Sequence, residues 1–243
     1  MANSYFQFRQ FTIHQDQCAM KVTTDGCLFG AWVAAIINTE KLITNNCLDI
    51  GTGTGLLALM SAQKNNIEID AIETDKDAAE QAAANIDDSP WEDRIKIINA
   101  DVRKFFFRHQ YDVIISNPPF YDNELKAADK RKNIALHGDD LSLAELPGVI
   151  KTNLSPHGMF YLLLPYKRND EIKKLLLKND MVISKLVLVR QSVNHDYFRI
   201  MLQGKLKTDK VVETSLNEIT IADEKQQYSS AFRDLLKDYY LHL

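Results

Sequence analysis

Apolar and polar positions alternate along this chain in two rhythms. Short apolar-rich runs recur at Cys47–Ile50, Ile67–Ile72, Arg94–Ile98, Tyr111–Ser116 and Gly158–Leu164, each closed by polar or turn residues. Runs of that length predict strands of a parallel sheet, covered on both faces where they are continuous, as in Tyr111–Ser116. Between them lie segments of helical composition or spacing: Leu56 to about Lys64, alanine-rich Asp75–Asn85, a helix capped by His137–Ser142 and running to about Leu154, and amphipathic Asp170–Lys178. Strand, loop, helix and strand from Cys47 to Glu73 make up about 30 residues, the size of a βαβ unit. Val182–Val189 and Phe198–Lys205 read as a final antiparallel pair, and Val211–Ile221 as another strand or hairpin. Tyr228–His242 reads as an aromatic-rich C-terminal helix. Residues 1–30 are the least regular. Phe6, Phe8 and Phe11 beside Arg9 and Gln10 form either an aromatic platform for a base or an edge strand packed on the core, the second being favoured. Asp25-Gly26 marks a turn before an apolar helix over Cys27–Ile37. The pattern contains no repeat, low-complexity tract or linker, so residues 1–243 are expected to form one α/β domain.

Composition narrows the class. A chain of 243 residues with 45% hydrophobic and 26% charged side chains is an ordinary globular sequence that can bury a sizeable core. No apolar run approaches the roughly 18 residues of a membrane span, and MANSYFQFRQ lacks the basic start and apolar stretch of a signal peptide. Cys18, Cys27 and Cys47 show no C-x-x-C spacing, which argues for neither a disulfide framework nor a zinc site, and for a reducing compartment. The expectation is a cytoplasmic, metal-free protein, monomeric and without a membrane partner. Its net charge of −4 does not advertise nucleic-acid binding. The distribution is less neutral. Bases gather at Lys126–Lys132, Lys167–Arg190 and Arg199–Lys210, and acids at Glu68–Asp93 and Glu213–Glu224. A face of that kind binds a polyanion despite a negative total, although solvated helix faces explain Lys167–Arg190 as well.

The candidate chemistry sits in two places. In Asn46–Leu59, NCLDIGTGTGLLAL, an apolar run ending in an acid meets Gly51, Gly53 and Gly55, and then a helix former. Glycines there permit left-handed backbone and close approach of a ligand, and the helix amides behind them favour an anionic group. The G-x-G-x-G spacing departs from the dinucleotide fingerprint, whose third glycine position is Leu56 here. Glu73 ends the next strand, about 20 residues past the first glycine, where a carboxylate accepts from both ribose hydroxyls. Asp101 ends the third strand and would accept from an adenine amino group or cap the next helix. Thr24 and Asp25 would meet the amino-acid end of a cofactor or cap their own helix. The second place is Asn117-Pro118-Pro119-Phe120 at the end of the fourth strand. Two prolines stiffen the turn. The Asn117 side-chain oxygen and Pro118 carbonyl could then hold both hydrogens of an exocyclic amine or amide, and Phe120 offers a stacking face.

The glycine loop with Asp49 before it resembles motif I of the class I S-adenosylmethionine (SAM)-dependent methyltransferases. With NPPF it resembles their N-methyltransferases acting on planar nitrogens. FRQFTIHQDQCAMKVTTDGCLFGAW, LDIGTGTGLLALMSAQ, NIDDSPWEDRIKIINADV, NPPF and ITIADEKQQYSSAFRDLLKDYYL, in that order, resemble the bacterial tRNA1(Val) adenine-37 N6-methyltransferase family over nearly the whole chain. The resemblance implies a Rossmann-like, mostly parallel seven-stranded sheet with its last strand antiparallel and helices on both faces. It implies that Asp49, Gly51, Thr52, Gly53 and Gly55 bind SAM, with Glu73 on its ribose and Asp101 and Val102 at its adenine. Lys21, Thr24 and Asp25 belong to a Lys21–Gly26 loop closing over the cofactor. Asn117, Pro118, Pro119 and Phe120 hold the target adenine, Asn117 also touching SAM. The segment after NPPF, with Lys130, Arg131 and Lys132, matches only loosely.

The implied activity is transfer of a methyl group from SAM to N6 of an adenine in tRNA. Two rivals keep the chemistry: a glutamine N5-methyltransferase of a peptide release factor, which carries an almost identical NPPY, and an rRNA guanine-N2 methyltransferase. The first resembles a methyltransferase domain behind a helical substrate domain, and residues 1–45 are too few for that bundle. A third reading, a non-catalytic SAM-fold module, has no use for a two-acceptor pocket.

Overall fold

The computed structural model describes residues 3–18, 20–39, 45–119 and 141–243. Phe120, the Lys126–Lys132 cluster and His137 lie outside them. Strands β1 (Tyr5–Gln7) and β2 (Thr12–His14) form an antiparallel hairpin of their own. Helix α1 (Thr24–Thr39) follows. Then β3 (Asn46–Ile50), α2 (Leu56–Lys64), β4 (Glu68–Glu73), α3 (Lys76–Asp87), β5 (Ile95–Asn99) and β6 (Tyr111–Ser116) build the first half of the main sheet. Helix α4 (Leu146–Asn153), β7 (Leu154–Pro165), α5 (Asn169–Lys178), β8 (Met181–Ser192), β9 (Tyr197–Leu206), β10 (Ser215–Ala222) and α6 (Ser230–Leu236) complete the fold.

The main sheet has eight strands in the order β10-β8-β9-β7-β6-β3-β4-β5, and only β9 runs against the others. The expected seven-stranded sheet with a reversed seventh strand is present as β3 to β9. The correction is β10, an additional edge strand parallel to β8, with Ser215 opposite Lys185 and Ala222 opposite Ser192. Its first four residues are exposed, so the apolar signal that marks an inner strand is absent.

Apolar runs become double-sided strands through the period of two. In β6, Val113 and Ile115 join one core with α1, α2 and α6, while Ile114 joins the opposite core with Leu146 and Ile150 of α4 and Ile172 and Leu176 of α5. Tyr111 also joins that second core, because an irregularity in register between Tyr111 and Val113 breaks the alternation there. Helices therefore cover both faces. In β9, Gly204 stands opposite Phe160 of β7, and the Phe160 ring fills the space a side chain would need.

Three other expectations need correcting. Asp25-Gly26 is not a turn but the first turn of α1, because the Thr23 hydroxyl accepts the Gly26 amide at 3.2 Å and caps the helix. The N-terminal strands do not extend the main sheet. Phe8 and Phe11 stack at 4.4 Å and are buried against Tyr240 and Trp91, which removes the aromatic platform. The last helix is confined to Ser230–Leu236, and Tyr239 and Tyr240 leave it to pack on α2 and β1.

Candidate active site

The C-terminal ends of β3, β4, β5 and β6 meet at one cavity of about 480 Å³. Its walls are the glycine loop, the Glu73–Asp75 turn, Ala100 and Val102 after β5, and Ser116–Pro119 after β6. A strap between β2 and α1 forms the remaining wall through Gln17, Cys18, Met20, Lys21, Val22 and Thr23. Open α/β sheets bind ligands at this edge.

Gly51, Gly53 and Gly55 have φ of 71°, 56° and 82°, left-handed values that side chains disfavour. The loop is tied to β4 by the Gly51 amide, which donates to the Ile72 carbonyl at 2.9 Å. A Cβ added at Gly51 or Gly53 would meet nothing within 4 Å, so this backbone borders open space. Glu73 supports the loop as well as lining the cavity. One of its carboxylate oxygens accepts the Gly53 amide at 2.9 Å and the other the Asp75 amide at 3.0 Å. Each oxygen keeps a second acceptor site.

Asp49 lies beneath the loop, fully buried. The Thr52 hydroxyl donates to its Oδ2 at 2.7 Å, and among the described residues no hydrogen bond is made to its Oδ1. Burial, only partly offset by the Thr52 bond, pushes this carboxyl up to about 7. Across the cavity, the Ser116 hydroxyl donates to the Ile50 carbonyl at 2.9 Å, which fixes the end of β6 against β3. Gly26 of α1 lines the cavity beside Asn117. Among the described residues nothing hydrogen-bonds the Asn117 amide.

Of the residues singled out from sequence, Lys21, Gly51, Thr52, Gly53, Glu73, Val102, Asn117, Pro118 and Pro119 line this cavity. Thr24, Asp25, Asp49, Gly55 and Asp101 do not. Asp25 accepts from Arg199 Nε of β9 at 2.7 Å. Asp101 is held by Arg103, whose guanidinium donates to both carboxylate oxygens at 2.9 to 3.2 Å, and these bonds lower it to about 2. Its Oδ1 also accepts the Arg103 amide at 2.9 Å, a local turn role close to the capping alternative. Sequence reasoning missed most of the strap and the amides that hold it. Gln81 and Asn85 are buried one turn apart in α3 among alanines, and that i,i+4 amide pair in an otherwise apolar stripe was the available signal.

The cavity fits SAM on two observations: open space along Gly51 and Gly53, and the lining carboxylate of Glu73, which has acceptor capacity to spare. The family profile of the methyltransferase small domain matches residues 33–137. A predicted O-methyltransferase of Agrobacterium tumefaciens shares the fold, with a TM-score of 0.65 at 13% identity over 88% of this chain and 96% of that one. The tRNA1(Val) (adenine(37)-N6)-methyltransferase of Phocaeicola vulgatus is 37% identical over 243 residues, covering 100% of both chains. Its namesake in Cytophaga hutchinsonii is 38% identical over 246 residues with the same coverage. With the cavity, the loop and end-to-end likeness in agreement, this chain belongs to the tRNA1(Val) (adenine(37)-N6)-methyltransferase family.

Proposed function

We propose that this protein transfers a methyl group from SAM to N6 of adenine 37 in tRNA1(Val), with Asn117 and Pro118 as the groups that hold the reacting nitrogen. The observation carrying the residue assignment is the convergence of Asn117-Pro118-Pro119, the glycine loop and Glu73 on one cavity. When bound, SAM supplies a methyl group on a sulfonium centre. The glycine-loop amides and Glu73 orient the cofactor, Glu73 accepting from the ribose hydroxyls. Val102 lines the adenine side, and Lys21 lies on the strap that covers it.

The adenine N6 lone pair is delocalised into the ring, so the nitrogen must become more tetrahedral before it attacks. Acceptors on both N–H hydrogens, the Asn117 side-chain oxygen and the Pro118 carbonyl, favour that geometry and stabilise the positive charge that develops on nitrogen. Asn117 is not a base, so one N6 proton leaves to solvent after the N–CH₃ bond has formed and the S–CH₃ bond has broken. An anticodon-loop base reaches such a cavity because it is unpaired and can be splayed out. The end-to-end likeness to relatives named for tRNA adenine methylation favours this reading over the release-factor one.

The test is incubation with labelled SAM and tRNA from a strain lacking this gene, followed by nucleoside analysis. N6-methyladenosine at position 37 is expected. Asn117→Ala should lower the rate by about 10²–10³-fold, the usual cost of one such acceptor or donor, while SAM still binds. Label in a release-factor glutamine or in rRNA guanine, with none in tRNA, would overturn the reading.

A further inference from the structure

The strap residues Gln15–Cys18 and Met20–Thr23 must stay in place for the cavity to keep its remaining wall, and polar side chains anchor them beside the packing of Cys18 and Val22. Asn85 of α3, 1% exposed, makes three bonds with one amide. Its Oδ1 accepts the His14 amide at 2.8 Å, and its Nδ2 donates to the His14 carbonyl and the Thr54 carbonyl, both at 2.9 Å. His14 is the last residue of β2, where the strap begins, and Thr54 lies between Gly53 and Gly55 of the glycine loop. One turn earlier on the same helix, Gln81 Oε1 accepts the Gln17 amide at 3.1 Å. Gln15 gathers the strap on itself, its Oε1 accepting the Val22 amide at 2.7 Å.

We propose that Asn85 is a positioning residue for cofactor binding: its amide locks the strap to the glycine loop, so that strap placement and SAM affinity rise and fall together. The chemistry demands an amide. The site presents one N–H and two carbonyls, which only a group combining an acceptor with two donors satisfies. An aspartate would set acceptors against both carbonyls, and a leucine would leave three backbone groups in this buried site without partners. Because Asn85 touches the Thr54 carbonyl directly, a strap that lifts also loosens the Thr54–Gly55 peptide that follows the cavity-lining Gly53. Two walls of the cavity thereby behave as one body.

The test uses the full-length protein without tRNA, so it reads out separately from the proposed substrate: failure to methylate tRNA would leave it untouched. SAM titration calorimetry of Asn85→Leu, at a temperature where the variant is fully folded, should show affinity weakened by about tenfold, as expected for losing a few coupled hydrogen bonds. Hydrogen exchange at the His14 and Val22 amides of the cofactor-free variant should accelerate. Gln81→Met cuts only the Gln17 tether and should weaken SAM binding by about threefold; it decides the matter if Asn85→Leu does not fold. SAM affinity within about twofold of wild type in whichever of these variants folds would overturn the proposal.

Discussion

At the scale of single residues, Asp49 is the group whose ionisation matters most. Its carboxyl is raised to about 7 in the fold by burial, against about 3.9 in an unfolded chain. Between those values the folded state holds a proton that the unfolded state has lost. Stability therefore falls as pH rises from about 4 to 7 and levels off above that. Asp49→Asn keeps an acceptor for the Thr52 hydroxyl and removes the titration, so chemical denaturation at several pH values should show a flatter profile across that window. SAM carries net positive charge and favours the ionised carboxyl. Its affinity for the wild type should weaken as pH drops below 7, with a proton released on binding that calorimetry in buffers of different ionisation enthalpy will count. Gly53 and Gly55 give a second residue-scale contrast. Alanine at either position meets a left-handed backbone and should cost about 1–2 kcal/mol of stability. At Gly55 the new methyl would make ordinary contact with Ala82 at 3.7 Å, whereas at Gly53 it would enter the open cavity. Similar losses in Tm are expected, with SAM affinity falling about tenfold or more for Gly53→Ala alone.

At the scale of elements, local pattern and long-range contact divide what the sequence discloses. The bounds of α2 and β6 were legible, since Gly55 before an apolar helix former marks the start of one and Asn117-Pro118 after an apolar run the end of the other. The start of α1 was not, because Asp-Gly reads as a turn until Thr23 is seen to cap it. Edge strand β10 was legible only as an unspecified strand, half of it being exposed. The strap was legible as a cofactor cover only through family resemblance, for its anchors in α3 lie 64 and 71 positions away. In the site, the glycine loop, Glu73 and Asn117 followed from strand ends. The Arg103 clasp on Asp101 depended on side-chain geometry that no spacing encodes. The β7–β9 pairing yields its own prediction. A Cβ at Gly204 would lie 2.2 Å from the Phe160 ring, in the antiparallel pairing of β9 with β7. Gly204→Ala should cost about 1–3 kcal/mol in urea unfolding, and Phe160→Leu in the same chain should recover part of that loss.

At the scale of the whole molecule, the proposed tRNA substrate would have to be held by local fields, since the net charge is −4. Lys173, Lys174 and Lys178 are exposed on α5, and Lys151 and Arg168 are already paired with Asp180 and Glu171. Replacing the three α5 lysines with glutamine tests whether this face meets RNA phosphate. Each lost phosphate contact should reduce the slope of log affinity against log salt by about 0.7–0.9. An unchanged slope would assign the polyanion to another surface.

The closure of β1 onto the far end of the chain has a consequence for biosynthesis. Arg9 donates through its backbone amide to the Tyr239 carbonyl at 2.8 Å and through Nε to the Tyr240 carbonyl at 2.7 Å. Tyr239 in turn bonds the Met60 carbonyl behind the glycine loop at 2.8 Å. The ribosome makes residue 9 long before residue 240, so on a nascent chain the hairpin that leads into the strap waits for its dock. Translation products stopped short of Tyr239 would carry the whole glycine loop yet lack the clasp that holds the hairpin leading into its cover. A chain truncated before Tyr239 is therefore expected to bind the methyl donor more weakly than the full-length protein, even with the strap's α3 anchors intact.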